Sequence, residues 1–200
     1  MGRKATDKQR KDNPGRKREW AGELAPFFQR RGIKDVTMDD VAHELGKSKA
    51  TIYKYFRSQE EILDLSLNLT LEKIAGFIPI LADTEKSYHD RYYQGVEHLS
   101  RHIANISSIF LRDVQDLFPL IWQKIRDFME MATQILKEFY EAGIRDGVFH
   151  PIHTGILVLS DRFLFNAFTD PGFLEEHALT LQEAFSEYFK MKFYGLMKNP

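Results

Sequence analysis

Three residues that favour helix N-caps, Thr37, Ser48 and Ser58, follow one another closely near the start of the chain. Acidic pairs stand behind the first and the last of them, at Asp39-Asp40 and Glu60-Glu61, where the helix dipole favours negative charge. Helices that begin so close together in the sequence must be short, and short helices are unstable unless they pack against one another. The pattern therefore predicts short helices joined by tight turns.

Apolar residues recur at three- and four-residue steps along most of the chain, which is the period of a helix. The first stretch begins near Arg16 and ends at Gly32, and the stretch after Ser58 continues to Pro79 as a long connecting helix. Further helices are predicted over 88–103, 107–116, 119–143, 151–168 and 174–197. No stretch shows a clear alternation of polar and apolar residues, as a strand would, so the predicted fold class is all-α. This class comprises an N-terminal helix-turn-helix domain joined by a long helix to a C-terminal helical domain.

The chain is predicted to consist of a flexible basic arm (1–15), a three-helix domain (16–58) and a larger helical domain (59–200). Residues 1–58 hold 15 lysines and arginines against 8 acidic residues, a net charge of +7, and the remainder carries −8. A basic end on an acidic body indicates a polyanion partner such as DNA, although a solvated basic tail would give the same count.

The segment after Thr37 has the spacing of a helix-turn-helix motif. Ala42 is small where the two helices would cross, Gly46 permits a left-handed turn, and Ile52 can pack back against the first helix. An ordinary helix hairpin would satisfy the same three positions.

In a helix-turn-helix, the start of the second helix enters the major groove. Lys49 is then expected to donate to guanine and Thr51 to meet a base or a thymine methyl group. Thr37 and Ser58 cap helices whose backbone N–H groups can bind phosphate oxygens. The predicted DNA-binding residues are Thr37, Ser48, Lys49, Ala50, Thr51, Tyr53, Lys54, Tyr55 and Ser58.

The runs Thr37-Met38-Asp39-Asp40-Val41-Ala42 and Gly46-Lys47-Ser48-Lys49-Ala50-Thr51-Ile52-Tyr53-Lys54-Tyr55-Phe56-Arg57-Ser58-Gln59-Glu60-Glu61-Ile62 resemble the signature of the TetR family of transcriptional regulators. The resemblance covers roughly 16–65 and implies a homodimeric repressor that a ligand releases from a pseudo-palindromic double-stranded operator. Two positions depart from the family pattern. Lys47 replaces a small apolar turn residue, and Gln59 replaces a lysine at the start of the fourth helix.

The family resemblance also implies an effector pocket in the second domain, which is rich in aromatic residues. The residues expected to line it, with a few polar groups among aromatic ones, are Tyr92, His98, His102, Phe110, Gln115, Phe118, Trp122, Phe163 and Asn166. A largely apolar effector would suit such a lining, but packing in an ordinary core explains each aromatic residue equally.

The last two predicted helices carry more apolar residues than one subunit needs, among them Ile156, Leu159, Phe163, Phe185 and Phe193. They suit a four-helix dimer interface, which the family resemblance favours, or burial within one subunit. A two-fold dimer would place the two recognition helices about 34 Å apart, facing successive major grooves.

Several other functions are not expected. The chain has no cysteine, and no phosphate-binding loop, nucleophile elbow or metalloprotease signature, so neither an enzyme nor a cofactor is predicted. His98 and His102 have metal-ligand spacing without a third ligand, and no metal is expected. The best candidate for a membrane span, 155–168, is interrupted by Asp161 and Arg162, which favours a cytoplasmic protein without a membrane partner. The alternative function is a ligand-independent DNA-binding or protein-interaction module.

Overall fold

The computed structural model describes residues 13–198, and these form eleven helices. Their bounds are α1 Pro14–Arg31, α2 Met38–Glu44, α3 Lys49–Ile52, α4 Gln59–Ile74, α5 Phe77–Ala82, α6 Tyr88–Ile103, α7 Ser108–Leu117, α8 Pro119–Arg145, α9 Thr154–Thr169, α10 Pro171–Glu176 and α11 Leu181–Leu196. Within this range the only β-type pairing is an isolated bridge between Phe149 and Met197. The predicted all-α fold class is confirmed.

Helix α1 begins earlier than the sequence suggested. The side chain of Asn13 accepts a hydrogen bond from the backbone N–H of Arg16 at 2.9 Å, and Pro14 takes the first helical position. Proline is favoured there because its missing N–H would have no partner within the helix. The predicted start near Arg16 is therefore too late, since Pro14 and Gly15 of the predicted arm belong to α1. Residues 1–12 of that arm lie outside the described residues.

Two predicted helices are each divided into two. The long connecting helix ends at Ile74, and α5 begins after Gly76 with Pro79 inside it. A Cβ at Gly76 would lie 2.6 Å from Nε2 of His98, so α6 packs directly against this break. The predicted helix over 174–197 is also split, because Leu174 belongs to α10 and Thr180 caps α11.

A continuous apolar core runs through both halves of the chain. Helix α4 packs along α1 and buries Ile62, Leu63 and Leu67. By length and composition alone, the run Gln59–Ala82 could cross a membrane and is a stronger candidate than 155–168. In this fold, however, many of its apolar side chains lie in the protein core, as Ile62 and Leu63 do.

Helix α7 is hydrogen-bonded to the N-terminal helices at two places. Oδ2 of Asp113, whose side chain is buried, accepts hydrogen bonds from the backbone N–H groups of Ile33 at 2.5 Å and Lys34 at 2.8 Å. The N–H of Ser107 donates to the carbonyl of Gln29 at 2.9 Å. These contacts fix the start of the loop that leads into α2, and thereby the position of α2 and α3 relative to the larger helical part.

Gly32 permits this close approach. Its φ of +80° lies in the left-handed region, and a Cβ there would come within 2.5 Å of Asp113 Oδ2 and 2.7 Å of Ile109. Glycine is therefore needed at the end of α1 for both conformation and space.

Candidate functional site

The turn between α2 and α3 has the geometry of a helix-turn-helix. Gly46 has φ +61°, and the N–H of Lys47 donates to the carbonyl of Ala42 at 2.9 Å. Ala42 is buried at the crossing, and Ile52 is fully buried as the one buried residue of α3. Lys47, a departure from the family pattern, is exposed and does not prevent the turn.

Each of the three predicted N-caps is present. Thr37, Ser48 and Ser58 accept hydrogen bonds at their side-chain oxygens from the backbone N–H groups of Asp40, Thr51 and Glu61, respectively. The remaining N–H groups of these first turns have no hydrogen-bond partner within their own helices. They are suitable donors for phosphate oxygens.

The N-terminal end of α3 is open to solvent. Ser48, Lys49, Ala50 and Lys54 are exposed, Thr51 is half-buried, and Tyr53 is 45% exposed. This short stretch therefore offers a cation, hydroxyl groups and a methyl group on one projecting surface. Base edges in the major groove are read by these types of group.

Lys49 is held by an ion pair that the sequence did not reveal. Its Nζ lies 2.8 Å from Oδ2 of Asp39, at the start of α2. The hydrogen bond to Asp39 raises the pKa of Lys49. Both side chains are exposed, so solvent screens their attraction and DNA can take the place of Asp39 at low cost.

Tyr55 and Gln59 are positioned by packing. Tyr55 is half-buried, and its ring meets Trp20 edge-on at 4.9 Å between centroids. Its ring thus supports the motif, which limits the phosphate contact predicted for it. Nε2 of Gln59 is buried without a hydrogen-bond partner among the described residues.

An apolar cavity of about 80 Å³ lies between α6, α8, α9 and α11, with the end of α4 and α5 closing one side. Its walls are almost entirely hydrocarbon. They are formed by Ile74, Phe77, Leu81, Tyr92, Gly95, Val96, Leu99, Phe128, Met129, Ala132, Leu136, Phe165, Phe185 and Phe189. The hydroxyl of Tyr92 donates to the backbone carbonyl of Phe189 at 3.0 Å.

Of the nine residues predicted to line an effector pocket, Tyr92 alone lies in the wall of this cavity. Phe163, 67% exposed, points away, as do the exposed Gln115 and Asn166. The other five predicted residues lie outside the cavity wall. Phe110 packs beside Phe28, Phe118 and Trp122 are half-buried, and the rings of His98 and His102 meet edge-on. His98 Nε2 also lies 2.8 Å from the carbonyl of Lys73.

Comparison with known proteins gives a family assignment. Residues 26–65, which contain α2, the turn and α3, match the model of bacterial regulatory proteins of the tetR family. The HTH-type transcriptional repressor KstR2 of Mycolicibacterium smegmatis is 25% identical over 136 residues, which are 64% of this chain and 64% of that protein. Residues 26–65 are thus a helix-turn-helix segment of the TetR-family type.

Solved structures with the TetR fold cover nearly the whole chain. The ketosteroid regulator KstR2 of Mycobacterium tuberculosis superposes with a TM-score of 0.60 at 20% identity, covering 96% of this chain and 100% of that one. A TetR-family regulator from Marinobacter aquaeolei superposes with a TM-score of 0.70 at 16% identity, covering 91% of each chain. The TetR fold therefore extends over the C-terminal helices as well as the matched segment.

The TetR fold leaves an apolar surface on the last helices of this chain. Large apolar side chains are exposed there on α9 and α11, namely Ile156, Leu159, Phe163, Met191 and Tyr194. Of the residues predicted from sequence to form an interface, Ile156, Leu159 and Phe163 are exposed, whereas Phe185 is buried inside the subunit. The sequence prediction of an interface on these helices therefore combined residues of their inner and outer faces, and the interface itself stays a prediction.

Proposed function

We propose that this chain is a sequence-specific DNA-binding transcriptional regulator, a homodimeric repressor that leaves its operator when a largely apolar effector occupies the cavity. The observation that carries the proposal is the exposed N-terminal end of α3, held by Ile52 and the turn at Gly46. Lys49, Ala50 and Thr51 would read bases. The DNA phosphates would be contacted by Ser48, Tyr53, Lys54 and the edge of Tyr55. The capped helix starts at Thr37 and Ser58 would bind phosphates as well.

Charge and family membership support DNA as the partner. The net charge of +7 on residues 1–58 attracts phosphates, while −8 on the remainder keeps the larger domain away from them. The relative from Mycolicibacterium smegmatis is named a transcriptional repressor, which favours repression over activation. Such a protein would act in the bacterial cytoplasm, where the DNA is.

The exposed apolar side chains of α9 and α11 support a homodimer. Phe163 and Met191 expose 67% and 65% of their surface. Contiguous apolar surface of this kind is unusual on a monomer and typical of an interface. A two-fold axis through this face would pair the two helices of one subunit with those of the other as a four-helix bundle.

The cavity supports an effector. Close-packed interiors contain few voids larger than a water molecule, and an apolar void of about 80 Å³ would remain dry. A hydrocarbon group that enters the cavity gains van der Waals contacts and does not have to displace bound water. Release would require that the effector bind the DNA-free conformation more tightly than the DNA-bound one.

Selection from a random double-stranded DNA library at fixed salt tests the proposal. The wild-type protein should enrich one palindrome, Lys49→Ala should blur its outer base positions, and Tyr53→Phe should weaken binding without changing the enriched sequence. Enrichment of no sequence, or equal enrichment by all three proteins, would reject a sequence-specific regulator. If hydrophobic compounds bind the protein without lowering its affinity for the operator, release by an effector is rejected. The ligand-independent DNA-binding function would then be the one supported.

A further inference from the structure

The apolar cavity adjoins a polar groove on the outside of the same helices. Met129 of α8 and Phe165 of α9 line both spaces. The outer groove lies between α8 and α9, and its polar walls include Arg126, Arg162 and Asn166. A molecule that fills the cavity and extends between Met129 and Phe165 would therefore enter a polar, solvent-facing site.

Met129 is the movable part of the boundary. Phe165 is buried and packs against Phe185 and Phe189, with ring centroids 5.1 Å and 5.8 Å away. Met129 is half-buried, and its unbranched thioether side chain can change rotamer at low cost. A connection between the two spaces can thus open without disturbing the aromatic cluster.

The groove has more hydrogen-bond donors than the protein uses. The guanidinium of Arg126 bonds to the amide oxygen of Gln123, a neutral partner. Arg162 pairs with Glu130 at 2.6 Å, and both of these side chains are at least half exposed. Each guanidinium has five N–H groups in a planar fork, which matches a carboxylate or a phosphate.

The acidic side chains of the groove do not remove this preference. Asp127 accepts a hydrogen bond from the amide of Gln123 at 2.6 Å. Glu130 can turn to water when an anion takes its place on Arg162, because the attraction within an exposed ion pair is largely screened by solvent. An incoming anion therefore exchanges one carboxylate partner for another and gains the N–H groups of Arg126.

We propose that the effector is an amphiphile with a hydrocarbon chain in the cavity and a carboxylate or phosphate head between Arg126 and Arg162. This inference rests on the proposed function in one respect, namely that the cavity is the effector site. It adds the chemical class of the ligand and a head-group site. A purely apolar ligand would leave both arginines unused.

Calorimetric titration with four decyl compounds tests the head group, each kept below its micelle-forming concentration. The probes are decanoate, decyl phosphate, 1-decanol and decyltrimethylammonium. Both anions should bind about tenfold more tightly than decanol, as expected for charge-assisted hydrogen bonds, and the cation should bind more weakly than decanol. Tighter binding of decanoate would indicate a free acid, and tighter binding of decyl phosphate a phosphorylated head; either supports the proposal.

Variants separate the head-group site from the cavity. Arg126→Gln/Arg162→Gln should lose the tenfold advantage of the anions while decanol binds as before. Arg145→Gln, in the last turn of α8 and outside the groove, is the matched control and should bind all four probes normally. Ala132→Leu extends into the cavity and should weaken all four probes while the unfolding temperature stays within a few degrees of the wild type.

Equal binding of decanoate and decanol, or an anion advantage that survives in the double variant, would overturn the head-group assignment. Undiminished binding to Ala132→Leu would overturn the placement of the chain. These titrations contain no DNA, so their failure leaves the selection experiment unaffected. Conversely, an anion-selective protein that enriches no DNA sequence would contradict only the proposed regulatory function.

Discussion

Lys49 stands where α3 would meet base edges, and Asp39 holds its ammonium group in the described structure. If Lys49 reads a base as proposed, it must release this carboxylate, and Asp39 would then remain near the DNA as an unpaired negative charge. The pair therefore acts against binding by a small amount and favours sequences that offer Lys49 a good acceptor. The effect of the ion pair on DNA affinity can be measured by substituting Lys49 and Asp39 in turn.

Lys49→Ala is expected to lower affinity for the selected operator by about 1–3 kcal/mol, the usual worth of a specific base contact. Asp39→Asn should raise affinity severalfold, because it frees Lys49 and removes a negative charge. Fluorescence anisotropy with labelled duplex at constant salt measures both. Lys86→Ala removes a comparable surface pair with Asp83, far from α3 in the chain, and should change nothing. Weaker binding by Asp39→Asn would show that the pair positions the lysine.

A buried ion pair joins α9 to α11. Nζ of Lys192 lies 2.5 Å from Oδ1 of Asp161, and the hydroxyl groups of Tyr140 and Tyr188 donate to the same carboxylate at 3.0 Å and 2.7 Å. Burial lowers the pKa of Lys192, and Asp161 opposes this shift. Asp161 is fully buried, so a lost partner cannot be replaced by water.

Lys192→Met should therefore destabilise the fold by about 3 kcal/mol, since it leaves a buried carboxylate without its cation. Adding Asp161→Asn removes the buried charge while keeping an acceptor for the tyrosines, and the double variant should recover part of the loss. Urea unfolding gives both free energies of unfolding. A double variant no more stable than Lys192→Met would mean that the charge of Asp161 is not the cause.

At the scale of elements, α2 depends on a capping box. Oδ2 of Asp40 accepts from the backbone N–H of Thr37 at 2.8 Å and from its hydroxyl at 2.6 Å. The bond from the Thr37 hydroxyl is the main cause that lowers the pKa of Asp40. Because the folded pKa lies below the ordinary value for aspartate, the stabilisation is present above that ordinary value and lost as the pH falls through the lowered one.

Asp40→Asn should thus be less stable than wild type at pH 7, and the difference should shrink as the pH is lowered toward 3. Urea unfolding across this range measures the difference at each pH. A difference that stays constant with pH would show that the carboxylate charge plays no part in the cap.

Asp113 links α7 to the loop before α2. Asp113→Ala would leave the N–H groups of Ile33 and Lys34 without their acceptor and should cost about 2–3 kcal/mol of stability. Hydrogen exchange at these two amides should accelerate, measured by NMR. Asp116→Ala, an exposed position on the same helix, is the control and should leave both amides protected. Unchanged exchange in Asp113→Ala would exclude the link as a restraint on the DNA-binding helices.

Helix starts were more predictable than helix interruptions, for a physical reason. A cap such as Thr37 or Ser58 bonds to its own next turn, so the signal is local in sequence. The break at Gly76 depends on His98, which comes from another helix, and no local pattern records it. The signal for the helix start at Pro14 is also local, because Asn13 caps the turn that follows it. Asn-Pro-Gly is equally typical of a turn, however, and the helix was therefore predicted to begin near Arg16.

At the scale of the whole molecule, the outer face of α9 and α11 should hold two copies together. Phe163→Glu places a charge on this face and should shift the protein from dimer to monomer in analytical ultracentrifugation. Operator binding should fall with it, because two linked recognition helices bind one palindrome. Leu120→Glu, at an 80% exposed position on α8, is the matched control and should remain dimeric. A dimeric Phe163→Glu protein would place the interface elsewhere.

Residues that face the cavity could not be chosen from composition. Phe163 and Phe165 are two positions apart on α9, and the turn of the helix sends one outward and the other into the cavity. Which side faces inward depends on how α9 sits on α8 and α11. Local sequence was enough for the DNA-binding motif, because Ala42, Gly46 and Ile52 define its turn within a single short segment. The pocket needed the packing of distant helices.

The most direct test of the central claim is the affinity of the wild-type protein for its selected palindrome and for a scrambled duplex of equal length. Anisotropy titrations at near-physiological salt would compare the two. A specific regulator should bind the palindrome at least about 10³-fold more tightly. Equal affinities for both duplexes, each falling steeply with added salt, would mean that only the basic charge attracts DNA and would contradict the account of α3 as a recognition helix.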